Sequence, residues 1–232
     1  MITTAQKQKI SFVENIFIKK GRVLDVRAWK PATIFEVDLH LPQPDMQQWN
    51  KTQKISCRVG AFSFRDYSPC WWDAETKTCT LFIDALHDGE GSRWVKTLQR
   101  EDDFYYLHIE SAKHSPETGK HLVMLGDETA IGHFNALQQL ANDATSISGA
   151  IVFKQDEHLQ QFKAYCKKLS LDALPYATNN YAALKAWTEK LNVHNDCTFY
   201  IAGNARLVVQ LRNALKEKGF AANQIKAQGF WH

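Results

Sequence analysis

The first half of the chain alternates between apolar and polar positions. From Thr33 to Leu41, Phe35, Val37, Leu39 and Leu41 interleave with Glu36, Asp38 and His40, the period of two that marks a half-buried strand. Gly21–Trp29 reads as a preceding strand, joined to it by a turn at Lys30-Pro31. Lys54–Val59, Phe62–Tyr67, Cys79–Leu86 and Asp103–Ile109 extend the pattern, with turn signals at Pro42–Pro44, Asp73–Lys77 and Asp88–Gly91. Short strands with such turns predict a closed or nearly closed antiparallel barrel. The polar stretch from Ser111 to His121 reads as a linker, and beyond it the rhythm changes. His121–Leu125, Gly149–Phe153 and Thr198–Ala202 read as strands; Glu128–Leu140, Asp156–Leu169, Tyr181–Leu191 and Ala205–Lys218 read as helices. Alternating β and α segments predict a parallel sheet with crossover helices. The expectation is an α/β two-domain chain: an N-terminal antiparallel β-barrel over 1–115 and a C-terminal Rossmann-like parallel α/β domain over 116–232.

Composition narrows the function classes. The formal charge of +3 is too small to argue for a nucleic-acid partner. The chain from Arg206 onward is more basic, with Arg206, Arg212, Lys216, Lys218 and Lys226 set against Glu217, either a solvated face or an attraction for an anionic ligand. The five cysteines, Cys57, Cys70, Cys79, Cys166 and Cys197, form no C-x-x-C pair and are odd in number, which argues against a zinc site, an iron–sulfur cluster or a disulfide framework. No histidine pair has metal-ligand spacing and no G-x-S-x-G elbow occurs. The polar Met1–Lys9 shows no signal segment, and no run approaches the ~18 apolar residues of a membrane span. A reduced, cytoplasmic, monomeric protein with no metal of its own is expected.

Two strand ends carry candidate chemistry. In Arg65-Asp66-Tyr67-Ser68, an arginine suits a diphosphate, an aromatic ring suits a flavin face, and a hydroxyl suits the ring edge; a barrel strand alternating polar and aromatic residues explains the same letters. His87-Asp88-Gly89-Glu90-Gly91-Ser92 follows a strand, and its glycines allow close approach to phosphate, with Ser92 able to cap a helix starting near Arg93-Trp94; it is equally a plain turn. Leu125-Gly126-Asp127-Glu128-Thr129-Ala130 and Ala202-Gly203-Asn204 are two strand–glycine–helix junctions in one sheet, where nucleotides bind, although the G-x-G-x-x-G fingerprint is missing and Asp127 or Thr129 suits a cap. Trp71-Trp72 reads as barrel core or as a wall beside a ligand. Lys154, just after a strand, reads as a contact for an adenosine 2′-phosphate or as a solvated lysine.

These motifs resemble a family. Arg65-Asp66-Tyr67-Ser68 is similar to the R-x-Y-[ST] flavin motif of ferredoxin-reductase-like barrels. Leu125–Ala130 resembles the L-x-G-D-E-T-A signature of siderophore-interacting proteins, the flavin-dependent ferric-siderophore reductases. Ile83-Asp84-Ala85-Leu86-His87 with Ser92-Arg93-Trp94, Tyr200-Ile201-Ala202-Gly203, and the closing Gly229-Phe230-Trp231 fall in the family's order. The resemblance implies FAD against the barrel and NADH or NADPH as donor. It assigns Arg65, Asp66, Tyr67, Ser68 and Pro69 to the flavin and nearby phosphate, Asp84, Leu86 and His87 to the dinucleotide, and Gly91 and Ser92 to the pyrophosphate. Asp127, Glu128 and Thr129 would meet the approaching nicotinamide, with Ala202, Gly203 and Trp231 across the crevice. Tyr67, Ser68 and Thr129 would stand at the reacting centre. Cys70 stands where the family often has a second arginine, Gly132 replaces a frequent proline, and Asn204 a frequent acid.

The implied activity is reduction of a ferric siderophore by NAD(P)H through FAD, with a small ferredoxin as an alternative electron source. Arg93, Lys96, Arg206, Arg212 and Lys226 are candidates for a positive field around an anionic chelate. A general flavin reductase of quinones or ferric chelates, and a siderophore-binding module without catalysis, are the rival readings.

Overall fold

The computed structural model describes residues 18–117, 119–141, 143, 145–191 and 196–231. The N-terminal segment Met1–Lys9 lies outside them. Strands β1 (Lys19–Trp29), β2 (Ile34–His40), β3 (Gln53–Gly60), β4 (Ser63–Tyr67), β5 (Pro69–Asp73), β6 (Thr78–Asp84) and β7 (Asp103–Ser111) form one seven-stranded sheet in the order β4-β3-β7-β1-β2-β6-β5, with helix α1 (Glu90–Thr97) between β6 and β7. Its paired strands run antiparallel. Among the described residues no ladder joins the edge strands β4 and β5, so the barrel stays open there.

The second sheet contains β8 (His121–Asp127), β9 (Ile147–Phe153), β10 (Asp172–Pro175), β11 (Cys197–Asn204) and β12 (Ile225–Trp231), in the order β10-β9-β8-β11-β12, all parallel. Helices α2 (Ile131–Leu140), α3 (Asp156–Tyr165), α4 (Asn180–Glu189) and α5 (Ala205–Glu217) make the crossovers. The central strands β8 and β11 are buried nearly end to end, as a sheet covered on both faces requires. Strand order turns back at β8, so the crevice outside the carboxyl ends of β8 and β11 is the topological switch point.

The two sheets share a core. Trp29, Ile34, Cys70 and Phe82 of the first cluster with Phe153 of the second and with Ile131, Phe134 and Phe162 on its helices α2 and α3. The added burial changes the expected reading of β2. Glu36 was expected to face water by alternation, yet it is only 5% exposed, accepting from Trp29 Nε1 at 2.7 Å and from Arg27 at 2.9 Å. Trp71 stacks edge-on against Phe82 at 5.1 Å and Trp72 against Trp49 at 5.5 Å, so this pair packs into the core rather than lining a groove. Strands β5, β10 and β12 lack a period-two signal and were not expected. Helix α1 starts at Glu90 with Gly89 as its N-cap, so Ser92 lies inside the helix and caps nothing.

Candidate functional site

Arg65 and Tyr67 share one face of β4, and the strand's alternation sends Asp66 to the other face. Asp66 pairs there with Lys54 at 3.2 Å, away from the expected flavin contact. Tyr67 lies against Trp94 with ring centroids 6.3 Å apart at 21°, and its hydroxyl presses on Gly91, where a Cβ would collide. Only glycine allows α1 to begin this close to the strand. The helix N-terminus, with its unsatisfied N–H groups, thus opens beside Arg65, an arrangement that favours an anion.

A carboxylate of the chain already sits in this cradle. Glu90 accepts a hydrogen bond from the Ser63 hydroxyl and lies 3.5 Å from the Arg65 guanidinium. The sequence reading passed over Glu90 because it looks like an ordinary first-turn helix acid. Ser92 is buried in the same turn. Pro69 is buried in β5 and paired with Leu81. The Ser68 carbonyl closes on Gly132 of α2, where a Cβ would come to 2.8 Å, so this glycine admits the barrel edge against the helix. Cys70 is fully buried, its thiol pushed up by desolvation and directed 3.5 Å from the Thr80 carbonyl.

The loop after β6 reaches the second sheet. The Asp84 side chain is 8% exposed, accepts from the Leu86 N–H at 3.1 Å, and has its pKa raised by burial, with Asp127 adding to the rise. The His87 ring lies 4.8 Å from that of Trp231, and Lys154 Nζ sits 5.5 Å over the Trp231 ring. Lys154 is therefore turned into the crevice, where its charge offsets part of the rise in the pKa of Asp84 and Glu128 that burial causes.

Asp127 and Gly203 close the floor of the crevice. Asp127 Oδ1 accepts from the Thr129 N–H at 3.1 Å and from its hydroxyl at 2.5 Å, while Oδ2 accepts from the Asn204 N–H at 2.9 Å. Gly203 has φ +125° and no room for a Cβ, which would stand 2.6 Å from Asp127 Oδ1. Asp127 caps the turn as expected, and its carboxylate is committed to joining β8 to β11. Thr129 donates its hydroxyl proton to Asp127, which leaves that oxygen as an acceptor toward a ligand. Ala202 is buried in β11, and Asn204 caps α5 by accepting from the Arg206 and Leu207 N–H groups.

Glu128 is 5% exposed and its Oε2 has no hydrogen-bond partner. Burial first, then the neighbouring Asp127 and Asp84, push its pKa up to about 8. Trp231 Nε1, Gln228 Oε1 and His133 Nδ1 are also buried without partners. Burial holds His133 neutral, with a pKa of about 4, next to the Phe230 ring at 5.7 Å. Sequence reasoning missed His133 and Gln228, whose letters carry no motif. Of the expected field residues, Arg93 is paired with Asp88 at 3.0 Å and Lys226 with Glu117 at 2.9 Å; Lys96, Arg206 and Arg212 are exposed.

Residues 119–232 match the family described as siderophore-interacting protein. The siderophore-interacting protein from Acinetobacter baumannii has a similar structure, with TM-score 0.77 at 13% identity over 92% of this chain and 90% of that one. SipS from Aeromonas hydrophila gives 0.74 at 16% over 92% and 91%. A ferredoxin NADP+ reductase from Neisseria gonorrhoeae, solved with bound FAD and NADP, gives 0.65 at 17% over 93% and 98%. No curated protein matches the chain by sequence. At these identities the structural likenesses establish the fold: an antiparallel barrel-like domain joined to a parallel α/β domain, as in the ferredoxin reductases. The family match runs through the G-D-E-T-A turn at the switch point, so the parallel α/β half of the chain is similar to the siderophore-interacting proteins.

Proposed function

We propose that this protein is an FAD-containing, NAD(P)H-dependent ferric-siderophore reductase. The supporting observation is the pairing of two half-sites: a cationic cradle at Arg65, Tyr67 and Gly91 on the open barrel, and a crevice at the β8–β11 switch point lined by buried polar atoms without partners. Both suit a flavin dinucleotide. Arg65 and the α1 N-terminus at Gly91 and Ser92 would hold the diphosphate once Glu90 turns aside. Tyr67, braced by Trp94, would offer an aromatic wall to the ring system. Trp231 Nε1 is a donor and Gln228 Oε1 an acceptor for polar groups entering the crevice.

Bound FAD would supply the chemistry the side chains lack, taking a hydride from the nicotinamide and releasing electrons singly to Fe(III). The iron is substrate, held by hard oxygen ligands that suit Fe(III) better than Fe(II), so reduction loosens it. The chain's own task is to orient the rings, exclude water and hold charge. Asp127 fixes the crevice floor, and Lys154 adds a positive charge beside Trp231. Domain limits at 1–115 and 116–232, a monomeric state, a cytoplasmic setting and a ferredoxin as alternative donor remain part of the proposal. No helix of the described residues is long and apolar enough to cross a membrane. One observation favours the flavin-free binding module: Glu90 occupies the cradle beside Arg65.

The test is the visible spectrum of the purified protein, supplied with FAD and then reduced anaerobically with NADH or NADPH. Flavin bands that bleach and return on adding a ferric siderophore support the reductase. Protein that takes up no FAD but still binds the ferric siderophore supports the module. Equal turnover of ferric citrate and ferric siderophore would point to a general ferric-chelate reductase.

A further inference from the structure

Asp127 and Glu128 are adjacent, but their carboxyls meet different surroundings. Asp127 accepts three hydrogen bonds. Glu128 is buried to 5% exposure and no donor reaches its Oε2. Around it stand Asp127 on its own turn, Asp84 at the end of β6 with His87 beyond it, and Lys154 after β9, whose Nζ lies over the Trp231 ring of β12. Helix α2, which continues from this turn, carries the buried neutral His133. An anion at Glu128 would face two further carboxyls and one lysine, without a hydrogen bond to its free oxygen. A neutral acid there has the opposite deficit: a proton on Oε2 with nothing to receive it.

We propose that Glu128 enters the crevice as a neutral carboxylic acid and donates a hydrogen bond from Oε2 to a carbonyl oxygen or an unsubstituted ring nitrogen of the bound heteroaromatic ligand. This rests on the flavin reading above. The ligand supplies the acceptor that the protein lacks, and satisfying a buried donor favours the ligand that carries it. A flavin offers such acceptors at its ring carbonyls and ring nitrogens, and a nicotinamide at its carboxamide carbonyl. On ionisation the oxygen becomes an acceptor and a repelling charge, so ligand affinity falls as the proton leaves.

The experiment measures FAD binding by fluorescence quenching, and NADP+ binding to the FAD-loaded protein by difference spectra, from pH 6.5 to 9. The parent, E128Q and E128A are compared. For the ligand that Glu128 contacts, parent affinity should fall by up to about tenfold per pH unit once the acid ionises. E128Q keeps an N–H donor and cannot ionise, so its affinity should stay near the parent's low-pH value throughout. E128A should be weak and flat. A parent profile that is flat for both ligands overturns the role, as does an E128Q profile that falls in parallel with the parent. A parent that takes up no FAD at any pH refutes the flavin reading, and this role with it. Ligand-free protein gives a second readout. Glu128 holds its proton more tightly folded than unfolded, so parent stability should decline relative to E128Q as pH rises from about 5 to 8. A constant difference over that window also overturns the proposal.

Discussion

Replacing Asp127 should unfasten the two central strands of the parallel sheet. Its carboxylate accepts from the Thr129 N–H, the Thr129 hydroxyl and the Asn204 N–H. The residue is 1% exposed, so in D127A water does not freely replace these bonds. Hydrogen bonds to a charged group contribute about 1.5–3 kcal/mol each, and donors stranded in a buried site lose their partner outright. The three bonds share one group and are not additive, so D127A should lose roughly 4 kcal/mol. For a chain of this size that is a fall of roughly 8–16 °C in Tm. D127N keeps the volume and one acceptor oxygen but turns an NH2 toward one of the donors, and should lose about 2 kcal/mol. T129V removes only the hydroxyl and should lose about 1 kcal/mol. Urea unfolding followed by circular dichroism gives the order D127A, D127N, T129V. A D127A loss below about 1 kcal/mol, with ligand binding abolished, would refute the reasoning and make the carboxylate a ligand contact.

Gly91→Ala should destabilise by about 1–3 kcal/mol, since the new methyl meets the Tyr67 hydroxyl; the same change in a Y67F background should cost much less, and equal losses in thermal melts would remove the packing explanation. Glu90→Gln should tighten FAD binding a few-fold, because a half-exposed pair with Arg65 is worth about 1 kcal/mol at most and its removal frees the guanidinium; unchanged or weaker binding in a fluorescence titration counts against a diphosphate at Arg65. Glu117 links the interdomain segment to Lys226, Lys120 and Thr198, whose hydrogen bonds outweigh the upward push of burial and bring its pKa to about 2. Its folded pKa is depressed, so its stabilisation is complete above about pH 4.5 and is lost as pH falls toward 2. E117Q should therefore differ from the parent by about 1–2 kcal/mol at pH 6 and converge with it near pH 2; a difference independent of pH refutes this.

Much of the architecture is written in short-range patterns. Period two marked six of the seven barrel strands, and the change to strand–helix alternation after Ser111 located the second sheet. The exceptions have local causes. In β5, Pro69 and Cys70 are both buried, and Trp71 takes φ +51° at a register break, so alternation is absent. Strand β12 reads Ile-Lys-Ala-Gln-Gly-Phe-Trp at a sheet edge, where one neighbouring strand suffices and polar residues are tolerated. Glu36 obeys alternation in sequence and breaks it in burial, because helices of the parallel half pack over the face that a lone barrel would leave to water.

The site was legible as positions more than as roles. Arg65, Tyr67, Gly91 and Ser92 come together because β4 and the start of α1 are neighbours, a grouping that the family resemblance implied. Whether a carboxyl in the site is held as an anion or left without a partner depends on groups far away in sequence. Asp127 is satisfied by Asn204, a residue 77 positions on, whereas Glu128 is crowded by Asp84, far upstream on the barrel. No local pattern distinguishes two adjacent acids in a G-D-E-T-A turn. The fold does so by giving one backbone donors from its own turn and from β11, and by burying the other with no donor at its Oε2. Burial in the crevice raises the Glu128 pKa first, with Asp127 and then Asp84 adding to the rise, so a change that separates Asp84 from Glu128 should lessen part of that rise without altering any residue of the turn.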